Sequence, residues 1–114
     1  MRIACIGSRS LDARHYSFVM GIVENFPIGT IVVSGGAVGT NTLFESAAKM
    51  CGLKVEIYFP DYDVFGGKAP LIRNEHIIKN CDRVIAIWDL KSTGTIHALK
   101  IAKSLKKPIT IHVI

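Results

Sequence analysis

The sequence predicts an α/β fold in which a parallel sheet lies between two layers of helices. Strand-like and helix-like stretches alternate along the whole chain, glycine-containing turns separate several of them, and no linker or repeat interrupts the pattern. Such alternation is typical of parallel sheets covered on both faces. With 114 residues, 49% of them hydrophobic, the chain matches the size of one domain, residues 1–114, and can fill its core.

The first part of the chain predicts two strands joined by a helix. Strand one covers Arg2–Ile6, and the helix follows over Asp12–Asn25. The apolar residues of this helix recur at the spacing of one helical face: Tyr16, Val19, Met20 and Val23. Pro27 and Gly29 end the helix, and the β-branched run Thr30–Ser34 predicts strand two.

The middle of the chain predicts a helix, a strand, a loop and a further helix. The helix covers Thr40–Met50 and ends at Gly52, where glycine readily adopts the left-handed conformation. Strand three follows over Lys54–Phe59. The segment Pro60–Pro70 predicts an irregular loop that could act as a lid, and Leu71–Asn80 predicts the third helix.

The last part of the chain predicts strand four over Arg83–Trp88, a helix over Thr95–Lys106 and strand five over Pro108–Val113. Right-handed crossovers favour the strand order 3-2-1-4-5, which is a Rossmann-like arrangement. The order reverses between strands one and four. Because ligands of such sheets bind at the carboxyl ends of the strands beside the reversal, we expect the site there.

Three short motifs follow predicted strands at this edge of the sheet and open helices. They are Gly7-Ser8-Arg9, Ser34-Gly35-Gly36-Ala37-Val38-Gly39-Thr40 and Ser92-Thr93-Gly94-Thr95. A helix N-terminus exposes unpaired N–H groups and the positive end of the helix dipole, which suit a phosphate. The motifs therefore predict a site for a phosphorylated or nucleotide-like molecule. The alternative is that they are tight turns and caps without a ligand.

The glycines of the second motif have neither the spacing of the dinucleotide fingerprint nor the Gly-Lys-Ser/Thr ending of a P-loop. Arg9 and Arg73 are candidate phosphate ligands, since arginine binds phosphate oxygens through two hydrogen bonds. Arg73 and Asn74 stand at the predicted start of the third helix, where a cation opposes the helix dipole. A bound anion would compensate for this, and so would Asp61, Asp63 or Glu75.

Composition narrows the classes of function. No apolar run approaches the roughly 20 residues of a membrane span, and the N-terminus does not resemble a signal peptide, so we expect a cytoplasmic protein. The three cysteines predict reduced thiols, and no histidine spacing predicts a metal or other cofactor. The net charge is +5. Four lysines in the last predicted helix and directly after it contribute to this charge and permit a nucleic-acid partner, although they also fit a solvated helix face: Lys100, Lys103, Lys106 and Lys107.

In their order along the chain, these motifs resemble the SLOG superfamily of Rossmann-like domains, and within it the small YspA-like proteins. The matching residues are Gly7-Ser8-Arg9, the loop from Gly35 to Gly39, Arg73-Asn74 and Gly94-Thr95. The resemblance extends from Ile3 to about Pro108. It implies nucleotide binding and homo-oligomers. Related members include the LONELY GUY phosphoribohydrolases, long described as lysine decarboxylase-like, and the DNA-processing A proteins, which bind single-stranded DNA.

The chain departs from the phosphoribohydrolase pattern at its catalytic residue. Aligning Gly94-Thr95 with the family's Gly-Thr places Ala98 where the resemblance implies a catalytic glutamate. Hydrolysis of the base–ribose bond would then need Arg73 together with Glu45 or Glu75. The leading prediction is accordingly a domain that binds a nucleotide or nucleotide-derived phosphate. The alternatives are a nucleoside-monophosphate phosphoribohydrolase and a single-stranded DNA-binding protein.

Overall fold

A computed structural model describes residues 1–114, and its five strands form one parallel sheet in the order β3-β2-β1-β4-β5. The strands are β1 (Arg2–Gly7), β2 (Ile31–Ser34), β3 (Lys54–Ile57), β4 (Arg83–Trp88) and β5 (Ile109–Val113). In the sheet, Ile3 of β1 pairs with Val32 of β2 on one side and with Arg83 of β4 on the other. The predicted fold class and strand order are confirmed.

The helices cover both faces of this sheet. They are α1 (Tyr16–Val23), α2 (Thr40–Met50), α3 (Tyr62–Phe65), α4 (Ala69–Lys79) and α5 (Thr93–Ser104). The helix expected over Asp12–Asn25 is shorter, because Ala13–His15 forms a 3₁₀ turn that leads into α1. The Asp12 side chain caps this turn by accepting a hydrogen bond from the Arg14 backbone N–H at 3.0 Å.

Alternating side chains of the strands divide the core into two layers. On the first face, Ile3 and Cys5 of β1 pack with residues of α1 and α2, among them Val19 and Phe44. On the second face, Ala4 and Ile6 of β1 pack with residues of α4 and α5: Ile77, Ile78, Ala98 and Ala102. Both faces of the parallel sheet are therefore covered, as the near-continuous apolar runs of the strands require.

The expectation of an irregular loop over Pro60–Pro70 is wrong. This segment contains the one-turn helix α3, a 3₁₀ turn over Gly66–Lys68 and the first two residues of α4. The Asp61 side chain caps α3 by accepting a hydrogen bond from the Val64 N–H at 3.2 Å. Proline also favours the first turn of a helix, where its missing N–H would have no partner, so Pro70 is compatible with the earlier start of α4.

The three cysteines are free thiols, and Cys5 and Cys81 are buried whereas Cys51 is exposed. Burial raises the pKa of the Cys5 thiol well above its ordinary value. None of the helices combines the length and the apolar character needed to cross a membrane.

Candidate functional site

The carboxyl ends of β1, β2 and β4 surround a cavity of about 110 Å³ that α4 and the start of α5 close. Eight of the residues predicted to bind the ligand line it: Gly7, Arg9, Gly35, Arg73, Asn74, Ser92, Gly94 and Thr95. The remaining lining residues were not predicted as ligand contacts: Ile6, Ala37, Asn41, Pro70, Leu71, Ile77 and Ala98. The topology thus brings three separate motifs and α4 to one place.

Two glycines allow the loops of the cavity to approach one another closely. Gly39, with φ of +84°, precedes α2, and a Cβ atom there would lie 2.6 Å from the backbone oxygen of Arg9. At Gly35 a Cβ atom would lie 2.6 Å from Nη1 of Arg73. A side chain at Gly39 would collide with the Arg9 backbone, whereas a side chain at Gly35 would push only the Arg73 guanidinium out of its present position.

Arg73 reaches into the cavity from the second turn of α4, and not from the helix start that the sequence predicts. Its Nη1 atom donates a hydrogen bond to the Gly35 carbonyl oxygen at 2.5 Å, and its Nε atom donates to Oδ1 of Asn74 at 3.0 Å. The expected opposition to the helix dipole therefore weakens, because that effect is concentrated in the first turn.

No carboxylate neutralises either arginine of the cavity. The ion pairs between carboxylates and arginine or lysine side chains are Arg2–Glu56 and Arg14–Asp12. Of the two alternatives for compensating Arg73, an ion pair with Asp61, Asp63 or Glu75 is therefore not formed. Desolvation by burial is the main cause that lowers the pKa of Arg73, and the nearby positive charge of Arg9 lowers it further, while Tyr62 opposes the shift.

Three predicted hydroxyl ligands lie outside the cavity lining and form hydrogen bonds within the protein instead. Ser8, Ser34 and Thr40 are all fully buried. The Thr40 hydroxyl donates to the Ser8 carbonyl oxygen at 2.8 Å, and the Ser34 hydroxyl donates to Oε2 of Glu45 at 2.5 Å. The structure thus places them where they shape the loops around the cavity.

The turn between β4 and α5 is organised by Asp89, a residue that the sequence analysis missed. Its Oδ1 accepts hydrogen bonds from the backbone N–H groups of Lys91 at 2.9 Å and Ser92 at 3.0 Å, and its Oδ2 accepts from the Ser10 hydroxyl at 3.0 Å. These hydrogen bonds lower the pKa of Asp89 to about 2, and the one from the Lys91 N–H has the largest effect. An aspartate directly after a strand is a known signal for such a turn.

The Ser92 side chain then caps α5, accepting from the Thr95 N–H at 3.4 Å and from the Thr95 hydroxyl at 3.0 Å. The cap explains how the predicted residues Ser92 and Thr95 come to line the cavity together with Gly94. Thr93, also predicted as a ligand contact, is exposed and lies outside the lining.

The cavity holds no carboxylate in its lining. Ala98, which takes the place of the glutamate implied by the phosphoribohydrolase resemblance, is buried and lines the cavity. Glu45 accepts a hydrogen bond from the Ser34 hydroxyl, and neither Glu45 nor Glu75 lines the cavity. Asn41, which was not predicted as a contact, does line the cavity. Its Nδ2 atom donates a hydrogen bond to the Cys5 carbonyl oxygen at 2.9 Å.

A second, more open groove of about 280 Å³ adjoins the cavity and shares Arg9, Gly35, Ala37 and Arg73 with it. Its other walls include Gly36, Phe59 and Tyr62. Phe59 is 70% exposed and Tyr62 is 58% exposed, which is unusual for aromatic residues. Phe59 packs closely against Gly36, where a Cβ atom would lie 2.7 Å from its ring.

No protein-family model and no curated protein matches the sequence. Two solved structures match the fold. The chain resembles DNA processing protein A in its fold. The protein from Helicobacter pylori, described for its single-stranded DNA binding mode, is 21% identical with a TM-score of 0.75 over 97% of this chain and 64% of that one. The protein from Streptococcus pneumoniae is 20% identical with a TM-score of 0.79 over 96% and 49%.

The chain therefore spans about half to two thirds of the length of these two proteins. At such identities the likeness shows the Rossmann-like fold alone. The finer resemblance to the SLOG superfamily, its YspA-like branch and the phosphoribohydrolases stays a prediction.

Proposed function

We propose that the chain binds a nucleotide and holds one of its phosphates in the cavity between Arg9 and Arg73. The observation that carries this proposal is the presence of two arginines at one cavity whose lining contains no carboxylate. The two guanidinium groups carry like charges that repel each other, and a bound anion would relieve this repulsion. The pKa of Arg73 is lowered mainly by desolvation, and the charge of Arg9 adds to the lowering. Phosphate suits guanidinium groups especially well.

The start of α5 supplies the second element of the proposed phosphate site. Gly94 and Thr95 line the cavity in the first turn of this helix of 12 residues, at the positive end of its dipole. Nothing projects from Gly94, and a Cβ atom there would meet no neighbour within 4 Å, so its backbone is open to a ligand.

The adjoining groove supplies a place for the base. Pockets for drug-sized ligands usually measure about 300–1,000 Å³, so a cavity of about 110 Å³ suits only part of a nucleotide. A phosphate between the arginines would leave the base beside Phe59 and Tyr62, whose exposed rings offer stacking surfaces.

Single-stranded nucleic acid is the second candidate ligand, because the same exposed rings beside arginines favour it. Stacking on aromatic side chains accepts any base. The H. pylori protein with this fold, described for its single-stranded DNA binding mode, adds support. Hydrolysis of the base–ribose bond has no such support, since Ala98 and the rest of the cavity lining provide no carboxylate. Assembly into a homo-oligomer stays a prediction.

The test is a thermal-shift and calorimetry panel with AMP, ADP, ATP, ADP-ribose, ribose 5-phosphate and a short oligonucleotide. A ligand at 100 times its Kd stabilises the fold by about 2.7 kcal/mol, which is a shift of several degrees at this size. We expect Arg73→Gln to lower the affinity about 10- to 100-fold, as the loss of charge-assisted hydrogen bonds implies. Arg83→Gln, at the opposite edge of the sheet, is the control. Equal affinities of the two variants, or no shift with any ligand, would refute the proposal.

A further inference from the structure

We propose that the exposed side of α5 is a second phosphate-binding surface, so that the ligand is a single strand of nucleic acid running from the cavity along this helix. The inference rests on the proposed function, because it takes the cavity as the position of the first phosphate. Its own support comes from the distribution of charge along the chain and from the position of α5.

The entire net charge of the chain resides in its last part. Residues 1–89 contain nine lysines and arginines and nine aspartates and glutamates, so their charges balance. Residues 90–114 contain no acid and five lysines: Lys91, Lys100, Lys103, Lys106 and Lys107. Such an asymmetry along a sequence favours a nucleic-acid or membrane partner.

Lys100 and Lys103 place this charge on the solvent side of α5. Both are exposed, they lie one turn apart, and neither belongs to an ion pair. The start of the same helix lines the cavity at Gly94. At 1.5 Å per residue, the two lysines lie about 9 and 14 Å along the axis from Gly94. Neither lysine lines the cavity, so we assign them to a further phosphate and not to the one between Arg9 and Arg73.

Of the two lysines that follow the helix, Lys107 has another role. The Lys107 ammonium donates a hydrogen bond to the Cys81 carbonyl oxygen at 2.8 Å, so it holds the end of α5 against the turn after α4. Lys106 is exposed. The surface that we propose therefore consists of Lys100 and Lys103 on α5, with the exposed Lys106 beyond the end of the helix, and we call it the α5 lysine surface.

A nucleic-acid strand fits the α5 lysine surface better than a lipid bilayer does. A helix that lies on a membrane inserts an apolar face between the lipids. The apolar face of α5 is already occupied, because Ala98 and Ala102 are buried in the core and Leu99 and Ile101 pack against it. Only the charged side remains, and it can contact phosphates without inserting.

The experiment compares two double variants that remove the same charge. Lys100→Gln with Lys103→Gln changes the proposed surface, and Lys49→Gln with Lys54→Gln changes two exposed lysines at the end of α2 and the start of β3. The affinity for oligo(dT) of 12 nucleotides is measured from 50 to 300 mM salt, and the affinity for AMP serves as reference. Each phosphate contact on a single strand contributes about 0.7 to the slope of log K against log salt.

We expect Lys100→Gln with Lys103→Gln to reduce the slope for oligo(dT) by about 1.4 and to lower the affinity ratio of oligo(dT) to AMP. The control pair, Lys49→Gln with Lys54→Gln, should leave both the salt slope and the affinity ratio close to those of the wild type. Equal effects of the two pairs would overturn the inference. A membrane partner would also overturn it. In that case the protein would sediment with anionic phosphatidylserine vesicles, and Lys100→Gln with Lys103→Gln would abolish this sedimentation while oligo(dT) binding persists.

Arg73→Gln distinguishes failure of this inference from failure of the proposed function. If Arg73→Gln weakens binding of AMP and the lysine pair has no effect on oligo(dT), the cavity binds a nucleotide and the α5 lysine surface has no role. If Arg73→Gln changes neither affinity, the cavity is not the site, and the proposed function fails together with the inference that rests on it.

Discussion

The hydroxyl of Ser8 accepts a hydrogen bond from the backbone N–H of Asp89 at 2.9 Å, although 81 positions separate the two residues. Asp89 in turn fixes the turn before α5 through Lys91 and Ser92. The contact therefore ties the turn after β1, which presents Arg9, to the turn that presents Gly94. The two sides of the cavity are held at a set distance by a buried serine.

We expect Ser8→Ala to lower the free energy of unfolding by about 1–3 kcal/mol, because it leaves the N–H of Asp89 without its partner. Urea denaturation measures this. Ser10→Ala is the control, since Ser10 is exposed and donates to the Asp89 side chain, which keeps its other donors. A loss for Ser10→Ala as large as that for Ser8→Ala would show that the buried contact has no special role.

We expect Gly39→Ala to be more destabilising than Gly29→Ala. Both glycines have a positive φ, +84° and +83°, so alanine brings backbone strain of about 1–3 kcal/mol to either position. Only at Gly39 does the new Cβ atom also collide with the Arg9 backbone, at 2.6 Å, whereas at Gly29 it meets nothing.

Denaturation curves of the two glycine variants, with AMP affinity as a second measurement, check this prediction. Gly39→Ala should also weaken binding because it displaces Arg9, and Gly29→Ala should not. Equal losses of stability in the two variants would mean that the loop around Gly39 shifts to accommodate the new Cβ atom at no cost in free energy.

The pH dependence of stability provides a test of Asp89. Its pKa falls from 3.8 to about 2 in the folded chain, mainly because the Lys91 N–H donates to the carboxylate. A pKa that folding depresses adds stability above the unfolded value, and this stability is lost as pH falls through the folded value. We expect stability to fall between about pH 4 and pH 2, and to fall less steeply in Asp89→Asn.

Urea denaturation from pH 2 to pH 5 measures this slope. Asp12→Asn is the matched comparison, since the Arg14 side chain lowers the pKa of Asp12 to about 2 as well. Asp89→Asn and Asp12→Asn should each reduce the pH dependence of the free energy of unfolding by the contribution of one carboxylate. An Asp89→Asn profile that coincides with the wild-type profile would contradict the assignment.

Phe59 tests the proposed stacking surface. We expect Phe59→Ala to weaken oligo(dT) binding by about 1–3 kcal/mol, the usual value of one stacked base. Phe65→Ala is the control, because Phe65 is 39% exposed but borders neither the cavity nor the groove. Fluorescence anisotropy with a labelled oligonucleotide measures both, and a similar loss for the two would indicate an indirect effect on the fold.

The sequence was sufficient to predict the sheet and its order, because apolar runs such as Arg83–Trp88 alternate with periodic helices and crossover handedness leaves few topologies. The boundaries of Thr40–Met50 and Arg83–Trp88 are as predicted. Tyr62–Phe65 was missed, since a helix of one turn is too short for a 3.6-residue period to show. Its neighbours Pro60 and Gly66 strengthened the expectation of a loop.

Only part of the site could be predicted, because side-chain directions, like short helices, leave no periodic pattern in the sequence. Motifs place backbone segments at the correct edge of the sheet, but the direction of a side chain depends on partners elsewhere in the chain. Ser8 and Ser34 turn inward because Asp89 and Glu45 stand beside them in space. Asn41 was not identified as a lining residue because its partner, Cys5, lies 36 positions away.

The cavity draws its walls from segments that lie far apart in the chain, from Ile6 to Ala98. No fragment of the chain contains more than part of it, so the site exists only once the central strands have assembled. A bound ligand must then oppose global unfolding as well as local opening. Hydrogen exchange should slow in the sheet core around Cys5 and Val84, remote from the ligand itself, and not only in the turns that touch it.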